Sequence, residues 1–77
     1  MTYDHKITGR IIREMRKRKG LTQEVLSGLA ALSRSHLAEI ESGRINAYVE
    51  TLWRIAEALS IRLSDLIRMV ERDIAGE

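Results

Sequence analysis

Residues 20–43 read GLTQEVLSGLAALSRSHLAEIESG, and two short helices are spelled in them. Both open in the same way. Thr22 and Ser33 are N-cap residue types, whose hydroxyl oxygens accept from the amide donors left free in a first helical turn. The residue before each cap is a leucine, Leu21 or Leu32, placed to pack on Leu26 or Leu37 in the helix that follows. Such a hydrophobic staple fixes the direction from which the chain enters the helix. Gly20 and Gly43 stand where a helix C-terminus wants a residue that tolerates positive φ. Between the two segments only Ala30 to Leu32 remain, room for a tight turn. Two short helices held across a tight turn make a helix-turn-helix, and its second helix is the element offered to a DNA major groove.

The wider pattern resembles the Cro/repressor-type helix-turn-helix family, also called the XRE family. The matching residues are Gly20-Leu21-Thr22-Gln23-Glu24, Leu26, Ala30, Leu32-Ser33, Leu37, Ile40-Glu41, Gly43, Asn46, Glu50-Thr51-Leu52 and Ile55-Ala56-Glu57-Ala58-Leu59, within a span from about Ile12 to about Leu66. The resemblance implies an all-α, lambda-repressor-like DNA-binding domain. Three positions depart from the family pattern: Ala31 replaces the usual turn glycine, Ala47 the usual proline, and Ile45 a common basic residue. A left-handed backbone at Ala31 costs on the order of 1 kcal/mol relative to glycine, which a folded domain tolerates.

The chain has 77 residues, the size of one small domain. A chain this short buries roughly 60% of its unfolded surface, so self-association is a natural way to add buried area. It has no cysteine, which leaves disulfides and thiolate metal sites unavailable and suits a reducing, cytoplasmic setting. No apolar run approaches a membrane span, and the N-terminal stretch, with Asp4 in it, does not read as a signal peptide. The formal net charge is +2, but seven cations against two acids in residues 1–20 give that end a local +5. A basic end facing a mildly acidic remainder favours a polyanion on one side.

Apolar spacing reads as helix nearly throughout, and there is no proline. Five helices are expected, making a compact orthogonal bundle over a single domain. The first runs about Ile7 to Lys19, with Ile12 and Met15 inward. The second runs Gln23 to Ala30, with Val25, Leu26 and Leu29 available for burial. The third runs Arg34 to Ser42, burying Leu37 and Ile40. The fourth runs about Ala47 to Leu59 behind an Asn46 cap, with Val49, Leu52, Ile55, Ala56 and Leu59 on one face. The fifth runs about Leu63 to Ile74, capped by Ser64 or the preceding turn.

With Leu37 and Ile40 inward, the helical period turns Arg34, Ser35, Ala38 and Glu39 outward, as the base-contacting set. Arg34 can donate twice to guanine O6 and N7, Ser35 can bond several base edges, Glu39 can accept from cytosine N4, and Ala38 can touch a thymine methyl. Thr22 and Gln23 open the second helix, where amide donors attract a phosphate; the resemblance implies a phosphate contact from Gln23. His36 can donate to phosphate, the more so when protonated. Arg44 and Asn46 lie in the loop where the family again contacts phosphate, although Asn46 also fits a plain cap. The resemblance further implies an internal ion pair between Arg16 and Glu41, a brace for the third helix. Arg10, Arg13, Lys17, Arg18 and Lys19 read as solvated charges and long-range attraction. Trp53 and Tyr48 read as packing residues.

Enzyme signals are absent: His5 and His36 stand alone, no metal-ligand spacing surrounds them, and no phosphate-binding glycine loop occurs. No cofactor or metal is expected. The reading is a sequence-specific, double-stranded DNA-binding transcriptional regulator, a homodimeric repressor on an inverted repeat. The alternative is an antitoxin-like or adaptor protein whose main partner is another protein, which exposure of Ile11 or Trp53 would favour. For the dimer, Ile61, Leu63 and Leu66 suffice to close the core. Ile67, Val70 and Ile74 then form a spare apolar stripe with a charged rim, suited to a two-fold contact. The competing arrangement folds the fifth helix onto the first, covering Ile7 and Ile11.

Overall fold

The computed structural model describes residues 2–77 and contains five helices: α1 (His5–Arg18), α2 (Gln23–Leu29), α3 (Arg34–Glu41), α4 (Val49–Ala58) and α5 (Leu63–Ala75). Helix α1 packs on α3 and α5, α2 packs on α3 and α4, and α4 packs on α5. Ile12, Leu26, Leu37, Ile55, Leu59 and Leu66 are fully buried where these helices meet.

Helix starts follow local chemistry. Asp4 Oδ1 accepts from the Lys6 amide at 2.9 Å, Thr22 Oγ1 from Val25 at 3.1 Å and Ser33 Oγ from His36 at 3.0 Å. Helix α5 is capped from the preceding turn, with Asp65 Oδ2 accepting from the Arg62 amide at 3.1 Å. Leu21 and Leu32 pack against the core as the staple requires.

Helix ends share one device. After α2 the Ala31 amide donates to Gly28 at 3.2 Å and the Leu32 amide to Ser27 at 2.8 Å, the paired bonds of a Schellman motif, which demands a left-handed residue between them. That residue is Ala31, with φ +58°, and after α4 it is Ser60, with φ +61°. Gly20 and Gly43 occupy the same place after α1 and α3, with φ +70° and +79°. Gly9 has a different role. A Cβ there would land on the Ile40 carbonyl oxygen and within 3.0 Å of that of Glu41, so glycine lets α1 and α3 approach closely.

Several expected placements are corrected. Helix α4 starts at Val49 behind Tyr48, which makes no side-chain capping bond. Ile45 and Ala47 pack against the core and hold the loop off the helical path, so Asn46 lies too early to cap. Val25, Leu29 and Val49 are exposed rather than buried, because α2 and α4 spend their inward faces on Leu26, Leu52 and Ile55. Trp53 and Tyr48 are exposed, at 56% and 84%. Ile11 is buried, and Ile7 packs against the core. The fifth helix has folded onto the first: Val70 is 2% exposed, Ile74 packs against the core, and Arg10 Nη2 meets Asp73 Oδ2 at 2.8 Å. The stripe of Ile67, Val70 and Ile74 is therefore not a free surface. Leu66 and Val70, one turn apart, set the inward phase of α5, and Ile67 falls outside it.

Candidate nucleic-acid interface

Helix α3 is held from behind and presented from the front. Its inner side carries Leu37 and Ile40, both buried, and Glu41, 6% exposed. The Arg16 guanidinium grips that carboxylate with two bonds, Nε to Oε2 at 2.8 Å and Nη2 to Oε1 at 3.0 Å, and spends a third on the Leu21 carbonyl at 2.9 Å. The hydrogen bonds to Glu41 raise the Arg16 pKa above its ordinary value, against the opposing effect of burial. A bidentate pair of this kind fixes orientation as well as distance. It ties the end of α3 to α1 and, through Leu21, to the entrance of α2.

Gln23 belongs to the same network. Its Nε2 donates to Glu41 Oε1 at 3.1 Å, so the side chain is aimed by the ion pair and keeps one N–H and its carbonyl oxygen in reserve. The sequence reading placed Gln23 only as a phosphate contact; the link to Glu41 needs the fold to be seen.

The outer side of α3 carries Arg34, Ser35 and Glu39, all exposed, and Ala38, half-buried. Arg34 and Ala38 line an open cleft together with Arg13 and Arg16 on α1, Leu21 and Thr22 before α2, and Gln23 and the exposed Glu24 at its start, with Glu41 behind them. Neither Arg34 nor Arg13 has a carboxylate within salt-bridge distance, whereas Arg10, Arg16, Arg54 and Arg68 all do. Arg13 is the cleft residue that sequence reasoning missed, since a helix of many cations gave no sign of which one faces α2. Ser42 also reaches the cleft, but its hydroxyl donates to the Glu39 carbonyl at 3.1 Å.

The remaining candidates do not line the cleft. Ser35 and Glu39 lie elsewhere on the exposed side of α3, and His36 is half-buried. Arg44 and Asn46 are exposed on the loop after α3. That loop is pinned at its start, where the Gly43 carbonyl accepts from His5 Nε2 at 3.0 Å. Among the described residues no group of His, Cys, Asp or Glu side chains is arranged to hold a metal ion, and no helix is long and apolar enough to cross a membrane.

Comparison with known proteins places this architecture. A helix-turn-helix family profile matches residues 12–66. The immunity repressor protein of Bacillus phage phi105 is 44% identical over 59 residues, covering 77% of this chain but 41% of the repressor. The HTH-type transcriptional regulator y4dJ of Sinorhizobium fredii is 36% identical, with 80% of each chain covered. Among solved structures, the restriction-modification controller protein C.AhdI of Aeromonas hydrophila superimposes with a TM-score of 0.79 at 36% identity, over 82% of this chain and 96% of that one. The chain spans less than half of the phage repressor and four fifths of y4dJ. With the motif, the bundle and the braced third helix in place, the chain belongs to the Cro/repressor-type (XRE) helix-turn-helix family.

Proposed function

We propose that this protein is a transcriptional regulator that binds double-stranded DNA by sequence, as a homodimer on an inverted repeat, and represses. The observation that carries this reading is the two-sidedness of α3. Its back is clamped by the Arg16–Glu41 pair, and its front offers Arg34, Ser35, Ala38 and Glu39 beside a cleft that holds Arg13, Thr22 and Gln23. Phosphate contacts set register and base contacts set sequence. Arg34 has the paired donors to bond guanine, Glu39 the acceptors to bond cytosine while repelling phosphate, and Ser35 and Ala38 the chemistry to add weaker preferences. Thr22, Gln23, His36, Arg44 and Asn46 serve the backbone. Arg13 joins them, because an unpaired guanidinium beside Gln23 faces the same path.

The names of the relatives support regulation, one being an immunity repressor and another an HTH-type transcriptional regulator. The rival reading, a protein partner through Ile11 or Trp53, loses Ile11 to the core and keeps only Trp53. Selection of bound duplexes from a random pool tests the proposal. Enrichment of an inverted repeat with half-site centres about 10 base pairs apart is expected; recovery of no common sequence contradicts it.

A further inference from the structure

The fold sorts the cations of α1. Arg16 is spent on Glu41, and Arg10 on Asp73, on the α5 side of the helix. Lys6 and Arg13 lie two helical turns apart and so share one flank. Arg13 lines the cleft beside α3. The far end of that cleft on α3 is Ser42, and the next residue, Gly43, lies beneath Lys6. A Cβ at Gly43 would come within 2.8 Å of Lys6 Cγ and 3.1 Å of Lys6 Cβ. The Lys6 stem therefore rests on the start of the loop after α3, and His5 Nε2, from the same turn of α1, bonds the Gly43 carbonyl at 3.0 Å. Lys6 is exposed, and among the described residues no carboxylate lies within salt-bridge distance of its ammonium. Asp4 is spent on capping, with its Oδ1 accepting from the Lys6 amide. The loop itself carries little charge: Arg44 is its one cation, and Ile45 and Ala47 pack against the core.

We propose that Lys6 is a phosphate-binding residue, delivered from α1 onto the loop after α3 as the second cation that this loop lacks, and that it carries the DNA-binding surface one phosphate beyond the cleft. The inference rests on the DNA-binding reading above and adds a contact to it. The chemistry selects a phosphate and not a base edge. An ammonium on a flexible stem is a point charge without the paired donors of a guanidinium. It also stands at the C-terminal end of α3, away from Arg34 and Ser35 at the other end of that helix. Seven residues span about 10 Å along a helix axis, so Lys6 and Arg13 are spaced to meet different phosphates of one backbone. A purely structural role is also open to such a cation, since it offsets the negative end of α3. That role predicts lost thermal stability and no change in the salt dependence of DNA binding.

The test is titration with the selected duplex and with a scrambled one across a series of salt concentrations, with thermal melts to confirm folding. Lys6→Met keeps a stem over Gly43 and removes the charge. It is expected to weaken both duplexes alike, on the order of tenfold at about 50 mM salt, and to make the plot of log affinity against log salt shallower by about 1. Lys6→Arg keeps the charge and is expected to keep the wild-type slope. Arg72→Met removes the same charge from α5 and is expected to leave the slope unchanged. A wild-type slope in Lys6→Met, an equal loss of slope in Arg72→Met, or a Lys6→Arg variant that behaves as Lys6→Met overturns the proposal and leaves the regulatory reading standing. A wild-type protein that binds neither duplex removes both.

Discussion

Glu41 is the residue on which the geometry of the proposed reading surface turns. It is 6% exposed, and its two oxygens accept from Arg16 and from Gln23. Glu41→Ala strips the guanidinium of both bonds in a buried place, and breaking such a pair costs roughly 3–5 kcal/mol. Denaturant melts are expected to show a loss of that size, with partial recovery in Arg16→Met combined with Glu41→Leu. A midpoint equal to wild type would mean the pair is solvated. On the outer side the roles divide. Arg34→Ala is expected to relax preference at one position of each half-site, at roughly 1–3 kcal/mol against the best sequence. Gln23→Ala and Arg13→Ala are expected to weaken all duplexes alike, and Arg13→Ala to lower the salt slope by about 1. Binding profiles across a panel of single-base variants separate the two patterns; a shared profile would contradict the division.

At the scale of elements, close approach and turn geometry decide stability. Gly9→Ala pushes a methyl into the backbone of α3 at Ile40, and overpacking against a backbone that cannot yield costs about 3 kcal/mol. Ala31→Gly acts the other way: φ is +58° there, so relief of left-handed strain outweighs the added freedom of the unfolded chain by up to about 1 kcal/mol. Thermal melts of both variants check the signs. This is also the scale at which the sequence is legible and then stops being so. Caps, staples and helix ends depend on residues a few positions apart, so Thr22, Ser33, Gly20 and Gly43 could be read directly. The Arg16–Glu41 pair was legible through the family resemblance. Which of two apolar stripes on a helix finds a neighbour depends on elements far away in sequence. Helix α5 carries apolar residues at 63, 66, 67, 69, 70, 74 and 75, enough for two faces, and only packing against α1 makes Leu66 and Val70 the buried ones. The same blindness misplaced Val25, Leu29 and Val49. The late start of α4 came from Ile45 and Ala47 anchoring the loop, a tertiary effect that overrides the capping propensity of Asn46.

The whole molecule is small enough that single core changes matter. A domain of this length has a stability of about 4–12 kcal/mol, and Val70→Asp places a charge between α5 and α1, where burial of an unpaired carboxylate is not tolerated. That variant is expected to lose its cooperative unfolding transition, whereas Ile67→Glu, one face away, keeps it; circular dichroism melts of the pair report which stripe is core. The same economy shapes the charge. The cations of α1 lie at one end of a chain with a net charge of only +2, which draws a polyanion to one side without making the whole surface adhesive. The central claim, that this surface reads DNA sequence, is tested most directly by titrating the protein with its selected duplex and with a scrambled duplex of equal length and composition, across a series of salt concentrations. The account predicts that the selected duplex binds at least about 10³-fold more tightly, and that both affinities fall steeply as salt rises, as expected for several neutralised phosphates. Equal affinity for the two duplexes at every salt concentration would contradict it.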